Sequence, residues 1–317
     1  MRDTAVLIAL GGNAISPQGE EGNITQQFDH TRETMRGLTR ALRGRFARVV
    51  LTHGNGPQIG NIMLRSELAA PQVYPLPLDT CVSDSEGGMG YMIQQVLYNV
   101  LREEEPAAPP RVACVLTQIV VRPDDPMWRN PTKFIGRFYG EEEARQLAAA
   151  RGWTMREDAG RGWRRVVPSP APVEIIETAA VRALLERNFY VIAAGGGGIP
   201  VMCDEAGRLR GVEAVIDKDL ASALLASNLG IGLLVILTGV DAVALDYGKP
   251  AQRFISRMTS AQTRRHLDKG QFPAGSMGPK IQAALNFLAA GGQRVIITSP
   301  ASLALALEGQ AGTRIEA

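Results

Sequence analysis

Hydrophobic positions along this chain follow two alternating rhythms. Unbroken apolar runs rich in Val, Ile and Leu recur at residues 4–10, 48–52, 112–121, 190–194, 233–238 and 294–298. Runs of this length and composition read as strands buried on both faces, as in parallel sheets. Between them the apolar residues take helical spacing. Ile24, Phe28, Met35, Leu38 and Leu42 share one face, as do Met89, Met92, Ile93, Val96, Leu97, Val100 and Leu101. Strand–helix alternation predicts an α/β fold, a mostly parallel sheet with helices on both sides.

The rhythm breaks between about residues 122 and 172. This stretch carries Trp128, Trp153 and Trp163, several Pro and Gly, and the charge-dense run MREDAGRGWRR. Arg122-Pro123 bounds it on one side and Pro168-Ser169-Pro170 on the other. Proline restricts its own backbone and that of the residue before it, so these are natural boundaries. The segment is expected to be an inserted subdomain.

Composition narrows the partners more than the fold. The 317 residues are 45% hydrophobic and 21% charged, near the globular average, which argues against disorder and membrane residence. Lys plus Arg number 34 against 32 Asp plus Glu, scattered and not striped, so a nucleic-acid or anionic-membrane footprint is missing and small-molecule partners are expected. The opening MRDTAVLIALGG has too short an apolar run for a signal peptide, and a cytoplasmic location is expected. Cys81, Cys114 and Cys203 are far apart and odd in number, which suggests free thiols and neither a disulfide framework nor zinc. His30, His53 and His266 show no metal-ligand spacing, so no resident metal is expected on the protein.

The chemistry concentrates where strands end. Gly11-Gly12-Asn13, Gly54-Asn55-Gly56, Gly195 to Gly198, and Thr238-Gly239 each follow a predicted strand, so all should lie along one edge of the sheet. Ligands of open parallel sheets bind at that edge, where helix N-termini and free amides attract anions and glycine admits a close phosphate. The chain contains no GxxxxGK[ST], and the third glycine of GNGPQIG lies one residue too far for the dinucleotide fingerprint. Lys218, in VIDKDLAS, and Lys280, in GSMGPK, are placed at helix starts, with Asp217 suited to an N-cap and Pro279 to a first helical position. A cation there opposes the helix dipole, unless a bound phosphate sits between the two. Asp217 and Asp219, flanking Lys218, suit either the dipole or the orientation of the lysines.

Taken together, GGNAI at 11–15, HGNGPQIG at 53–60, PLDTC at 77–81, PTKFIGRFY at 131–139 and RRVVPSP at 164–170 resemble the carbamate kinases. AAGGGGIPV at 193–201, GVEAVIDKDLAS at 211–222, LDYGKP at 245–250, FPAGSMGPK at 272–280 and Gly312-Thr313 continue the resemblance in order and spacing over essentially the whole chain.

The resemblance implies the amino-acid-kinase fold, a three-layer sandwich in a single domain. A small-substrate lobe would span about 1–210 and contain the lid at about 122–172, and a nucleotide lobe would span about 211–317. It implies a homodimer that transfers a phosphoryl group reversibly between carbamoyl phosphate and ADP, giving ATP and carbamate, with Mg²⁺ on the nucleotide. The usual direction is catabolic ATP production from arginine breakdown.

By motif, Gly11, Gly12, Asn13, Gly54, Asn55 and Gly56, with Gly195 and Gly196, would cradle carbamate and the transferred group. Lys133, Lys218 and Lys280 would supply positive charge, with Asp217 organising them. Thr238, Asp241, Tyr247, Ala274, Gly275, Ser276 and Met277 would surround the nucleotide. Many relatives of the wider fold carry a lysine before the first glycine pair, where this chain has Ala9 and Leu10, so Lys133 on a flexible lid is the expected substitute.

Two departures stand out. Asp84, Ser85, Glu86, Gly87 replace a typical Met, Ser, Gln, Gly, and Phe134 and Arg137 replace prolines near the lid lysine. A Glu facing an anionic substrate would repel it unless paired or protonated. The competing readings are a kinase of another small carboxylate or of a nucleoside monophosphate on the same fold, and a catalytically silent ligand-sensing relative. A nicotinamide dehydrogenase is disfavoured by the glycine spacing.

Overall fold

A computed structural model describes residues 5–12, 15, 22–158, 160–273 and 275–317. The first half of the chain runs β1 (Ala5–Leu10), α1 (Ile24–Leu42), β2 (Arg48–His53), α2 (Gln58–Ala69), α3 (Leu78–Glu104), β3 (Val112–Cys114) and β4 (Gln118–Val121). Then come β5 (Lys133–Tyr139), α4 (Glu141–Arg151), β6 (Met155–Glu157), β7 (Trp163–Val167), β8 (Pro172–Ile175), α5 (Thr178–Glu186) and β9 (Tyr190–Ile192). After β10 (Ile199–Cys203) and β11 (Leu209–Gly211) follow α6 (Lys218–Leu229), β12 (Leu233–Leu237), β13 (Val243–Leu245), β14 (Arg253–Ile255) and β15 (Arg257–Thr259). The chain closes with α7 (Ser260–Asp268), α8 (Met277–Ala289), β16 (Arg294–Thr298), α9 (Leu303–Leu307) and β17 (Thr313–Glu316).

The main sheet has eight strands in the order β15-β17-β16-β12-β1-β2-β9-β3. Only β16–β17 is antiparallel; every other neighbouring pair is parallel. Alternation along each strand sends successive side chains to opposite layers. Leu7, Ala9, Val50, Leu234 and Ile236 point into one core, against α5, α6 and α8. Val6, Ile8, Leu10, Leu51 and Val235 point into the other, against α1, α3 and α9. Because both faces are covered, these strands carry no polar alternation, and the unbroken apolar runs follow from that burial.

The run at 112–121 was expected to be one strand and is two. β3 ends the main sheet, while β4 joins β10, β11 and β8 in a separate four-stranded sheet. The break lies at Thr117, whose hydroxyl donates to the Val115 carbonyl and accepts from the Ala194 amide at 2.8 and 2.9 Å. The bond to Ala194 is tertiary, which local hydrophobicity does not encode. The run at 190–194 stops early as a strand because Ala194 adopts φ 50°, outside strand geometry.

Within the 122–172 segment, β5, β7 and β6 form a three-stranded antiparallel sheet. It rests on α2 and the start of α3 through a small apolar cluster that includes Ile59, Val82, Ile135 and Val167. Contact is backbone to backbone at Gly60, where an added Cβ would come within 2.7 Å of the Gly136 Cα. That fit brings Lys133, the first residue of β5, to the edge of the main sheet.

Candidate active site

The turns after β1, β2, β9 and β12 lie together at the carboxyl edge of the parallel strands. A cavity of about 590 Å³ opens there, lined by Gly12, Gly54, Asn55 and Gly56, by Gly196, by Lys133 from β5, and by Asp217, Lys218 and Asp219 at the start of α6. Gly275, Ser276 and Lys280 reach it from the start of α8. The fourth turn faces a neighbouring cavity of about 310 Å³, lined by Gly11, Thr238, Gly239 and Ser299. Gly11 divides the two: an added Cβ would meet the Leu237 carbonyl oxygen at 2.7 Å, so only glycine lets β1 and β12 end this close together.

Two helix starts converge on one carboxylate. Asp217 caps α6, accepting the Asp219 amide at 2.9 Å, which places Lys218 in the first helical position. Lys218 Nζ lies 2.7 Å from Asp219 Oδ1, and Lys280 Nζ lies 2.9 Å from Asp219 Oδ2. Lys133 Nζ instead meets Asp217 Oδ2 at 2.9 Å. The expected organiser, Asp217, therefore holds Lys133, and Asp219 holds the other two. The sequence hint for Asp219 was its place beside Lys218, but which acid faces which lysine depends on the crossing of α6 and α8.

Burial works against both charges of this clamp. It raises the cost of ionising Asp219, yet the two ammonium groups hold that carboxyl well below the usual carboxylate range. Burial pulls Lys218 down from its ordinary value, with Asp219 opposing and Lys280 adding to the shift. Three lysines stand against two aspartates here, so the cavity keeps a net positive charge suited to an anion. Pro279, expected to open α8, is the third residue of a helix that begins at Met277. The first turn has amides without helical partners, so it tolerates proline there, and Lys280 remains in that turn.

His53, at the end of β2, is fully buried, and burial with the nearby Lys218 charge lowers its pKa to about 4. Its Nδ1 stands 3.1 Å from the Gly54 carbonyl, an acceptor, so Nδ1 carries the proton and the ring is neutral. Asn55 donates from Nδ2 to the Gly196 carbonyl at 2.9 Å and accepts from the Ser85 hydroxyl at 2.8 Å. Gly196 has φ 69° and packs on this amide so tightly that a Cβ would lie 2.1 Å from Asn55 Oδ1.

The feared repulsion from Glu86 does not arise. Its side chain lies behind the β9 turn and does not line the cavity, with Oε1 accepting the Gly195 amide at 3.0 Å and Oε2 the Thr117 amide at 3.2 Å. Burial, only partly offset by these amides, pushes the carboxyl up to about 8. Asp84 is exposed. Phe134 and Arg137 do line the cavity, and so does Arg164, which sequence reasoning did not single out. Arg164 braces the three-stranded sheet by donating to the Gly136 carbonyl at 3.1 Å and to Asp158 at 3.1 Å.

The remaining expected residues are more dispersed. Gly195 is buried and, unlike Gly196, does not line the cavity. Asp241 is exposed and accepts from the hydroxyls of Ser299 and Ser302. Tyr247 is 60% exposed on the turn after β13, and Met277 packs on the core behind α8. Asn13 and Ala274 lie outside the described residues. Among the described residues, no cluster of three or more His, Cys, Asp or Glu could hold a metal ion, and no helix is long and apolar enough to cross a membrane.

Comparison with known proteins agrees with this geometry. Residues 4–299 match the amino acid kinase family. The carbamate kinase of Thermococcus kodakarensis is 45% identical over 98% of both chains, and the carbamate kinase-like protein YahI of Escherichia coli is 44% identical over the same shares. The structure of the Giardia lamblia carbamate kinase bound to AMP-PNP superposes with a TM-score of 0.91 at 42% identity, covering 99% of this chain and 98% of that one. The chain belongs to the amino acid kinase family, among its carbamate kinases.

Proposed function

We propose that the chain moves a phosphoryl group between carbamoyl phosphate and ADP, yielding ATP and carbamate, in a reversible reaction. The observation that carries this reading is the pair of lysines on Asp219, facing a third lysine on the lid across a glycine-lined cavity. Phosphoryl transfer asks the protein for in-line positioning and for charge on the phosphoryl oxygens, with little covalent chemistry. Fixed ammonium groups and the glycine turns meet that need.

In this reading the Gly12, Gly54 to Gly56 and Gly196 turns receive carbamoyl phosphate, and Lys133 closes over it and excludes water. Lys218 and Lys280 span the acceptor and nucleotide sides and follow the migrating charge. The second cavity, with Thr238 and Gly239, together with Gly275, Ser276 and Tyr247, takes the nucleotide. On this division, residues up to about 210 form the acceptor lobe and later ones the nucleotide lobe. Mg²⁺ fits as an ion carried by the nucleotide phosphates, because such a site needs only one or two protein carboxylates and no dedicated cage. Bound there, it would neutralise charge on the phosphates.

ADP as substrate argues for a cytoplasmic protein. Tyr91 and Tyr98, both exposed on α3, offer apolar area for a second copy of the chain in the expected homodimer. Mixing the protein with ADP, Mg²⁺ and carbamoyl phosphate and following ATP tests the reaction. No ATP above background would overturn it, and formation of a different acyl phosphate from ATP would move the assignment to another small carboxylate.

A further inference from the structure

Glu86 is 1% exposed, and its two oxygens serve two separate segments: the Gly195 amide in the β9 turn and the Thr117 amide between β3 and β4. The preceding residue, Ser85, donates to Asn55, which in turn donates to the Gly196 carbonyl. Neighbouring residues of α3 therefore grip the same turn from two sides, one through an amide and the other through a carbonyl. Gly196 and Asn55 face the cavity, and Glu86 stands directly behind them.

The turn needs this support. Ala194, with a Cβ, sits at φ 50°, and Gly196 and Gly197 are also left-handed, at φ 69° and 101°. At Ala194, unlike at the glycines, such a backbone persists only where its surroundings over-determine it. A carboxylate accepts from both amides. A carboxylic acid keeps one good acceptor and turns its other oxygen into a donor; the longer contact, 3.2 Å at Thr117 against 3.0 Å at Gly195, assigns the proton to Oε2, which then faces another donor.

Burial favours the acid and the two amides favour the carboxylate, so the forms are closely balanced, with the pKa at about 8. Glu177, at the start of α5, adds negative charge that pushes the same way. The Cys114 thiol on β3 is the other titratable group coupled to Glu86, and burial together with Glu86 raises it to about 11. His53, against the opposite side of Gly195, is neutral. None of these supplies a cation.

We propose that Glu86 is a positioning residue for the acceptor half of the site: its carboxylate locks the Gly195–Gly198 turn in the shape that receives carbamoyl phosphate, and protonation frees the Thr117 amide and loosens the turn. For its substrate this rests on the carbamate kinase reading, while the response of the turn to pH does not.

Initial rates across pH test the first part. The KM for carbamoyl phosphate should fall about fivefold as Glu86 ionises, the worth of one backbone hydrogen bond, with no matching inflection in the KM for ADP. Glu86→Gln should hold the weaker value at every pH. The lowered Lys218 is common to both proteins, so the difference between the two profiles isolates residue 86. Matching profiles, or equal shifts in both KM values, would overturn the proposal.

Hydrogen exchange of the unmodified protein without substrate covers the case in which the variant does not fold. After correction for intrinsic rates, amides at 193–201 should gain protection between about pH 7 and about pH 9. Unchanged protection would overturn the positioning role even if carbamoyl phosphate is a substrate. Increased protection with no turnover of carbamoyl phosphate would leave the role intact and remove the substrate assignment.

Discussion

Asp219→Asn gives the sharpest test of the lysine clamp. The substitution keeps size and removes one charge, and the new amide nitrogen is a donor facing a lysine that is itself only a donor. Two ammonium groups held on one carboxylate stand on the order of 5 Å apart, where unit charges repel by about 3 kcal/mol at an effective dielectric near 20. Breaking a buried pair by removing one partner costs about 3–5 kcal/mol. The melting temperature should drop by several degrees, and kcat should drop about 100-fold or more, as when a preorganised charge is lost from a transition state.

The pH dependence carries a signature. Burial already lowers Lys218, and without Asp219 it falls further, so the variant's activity should recover relative to the parent's as pH falls. For stability the sign is opposite. The depressed Asp219 carboxyl contributes above its ordinary value of 3.8, and that contribution is lost only as pH falls through its much lower folded value. The variant lacks this term throughout. Inorganic phosphate should raise the variant's melting temperature more than the parent's by supplying the missing anion. A variant with parental kcat and melting temperature would refute the clamp. So would an activity profile with no acid recovery.

Lys133→Ala should raise the KM for carbamoyl phosphate about tenfold or more while leaving the KM for ADP unchanged, because Lys133 reaches the cavity from the lid; an equal rise in both would place the lysine elsewhere. Lys218→Ala and Lys280→Ala should each lose about 100-fold in kcat, and near-normal turnover would return them to a structural role with Asp219. Gly60→Ala inserts a Cβ 2.7 Å from the Gly136 Cα, so it should lift β5 and copy the Lys133→Ala phenotype, although residue 60 does no chemistry. Unchanged KM values in that variant would separate lid seating from substrate binding.

Much of the fold was legible because the doubly covered sheet leaves one unambiguous mark, the continuous apolar run. β1, β2, β12 and β16 lie where those runs lie. The errors fall where a strand depends on contacts from afar. Nothing in VACVLTQIVV announces that Thr117 will bond to Ala194 and split the run between two sheets. The three short strands of the lid lacked a signal for a similar reason. Their core is shared with α2 and α3, so few of their own residues are buried.

The site was legible in kind but not in pairing. Glycine after a strand and lysine at a helix start are local signals, and they located Gly12, Gly54, Gly196, Lys218 and Lys280 around one cavity. Which carboxylate meets which lysine is decided by the approach of α6 to α8 and of the lid to both, so Asp217 and Asp219 could not be told apart from their spacing around Lys218. Glu86 shows the same limit from the other direction. Its sequence position suggested a charge facing the substrate. The fold turns that charge onto two backbone amides outside the cavity lining, so the substitution that looked most damaging to an anion site bears instead on the shape of the turn that forms it.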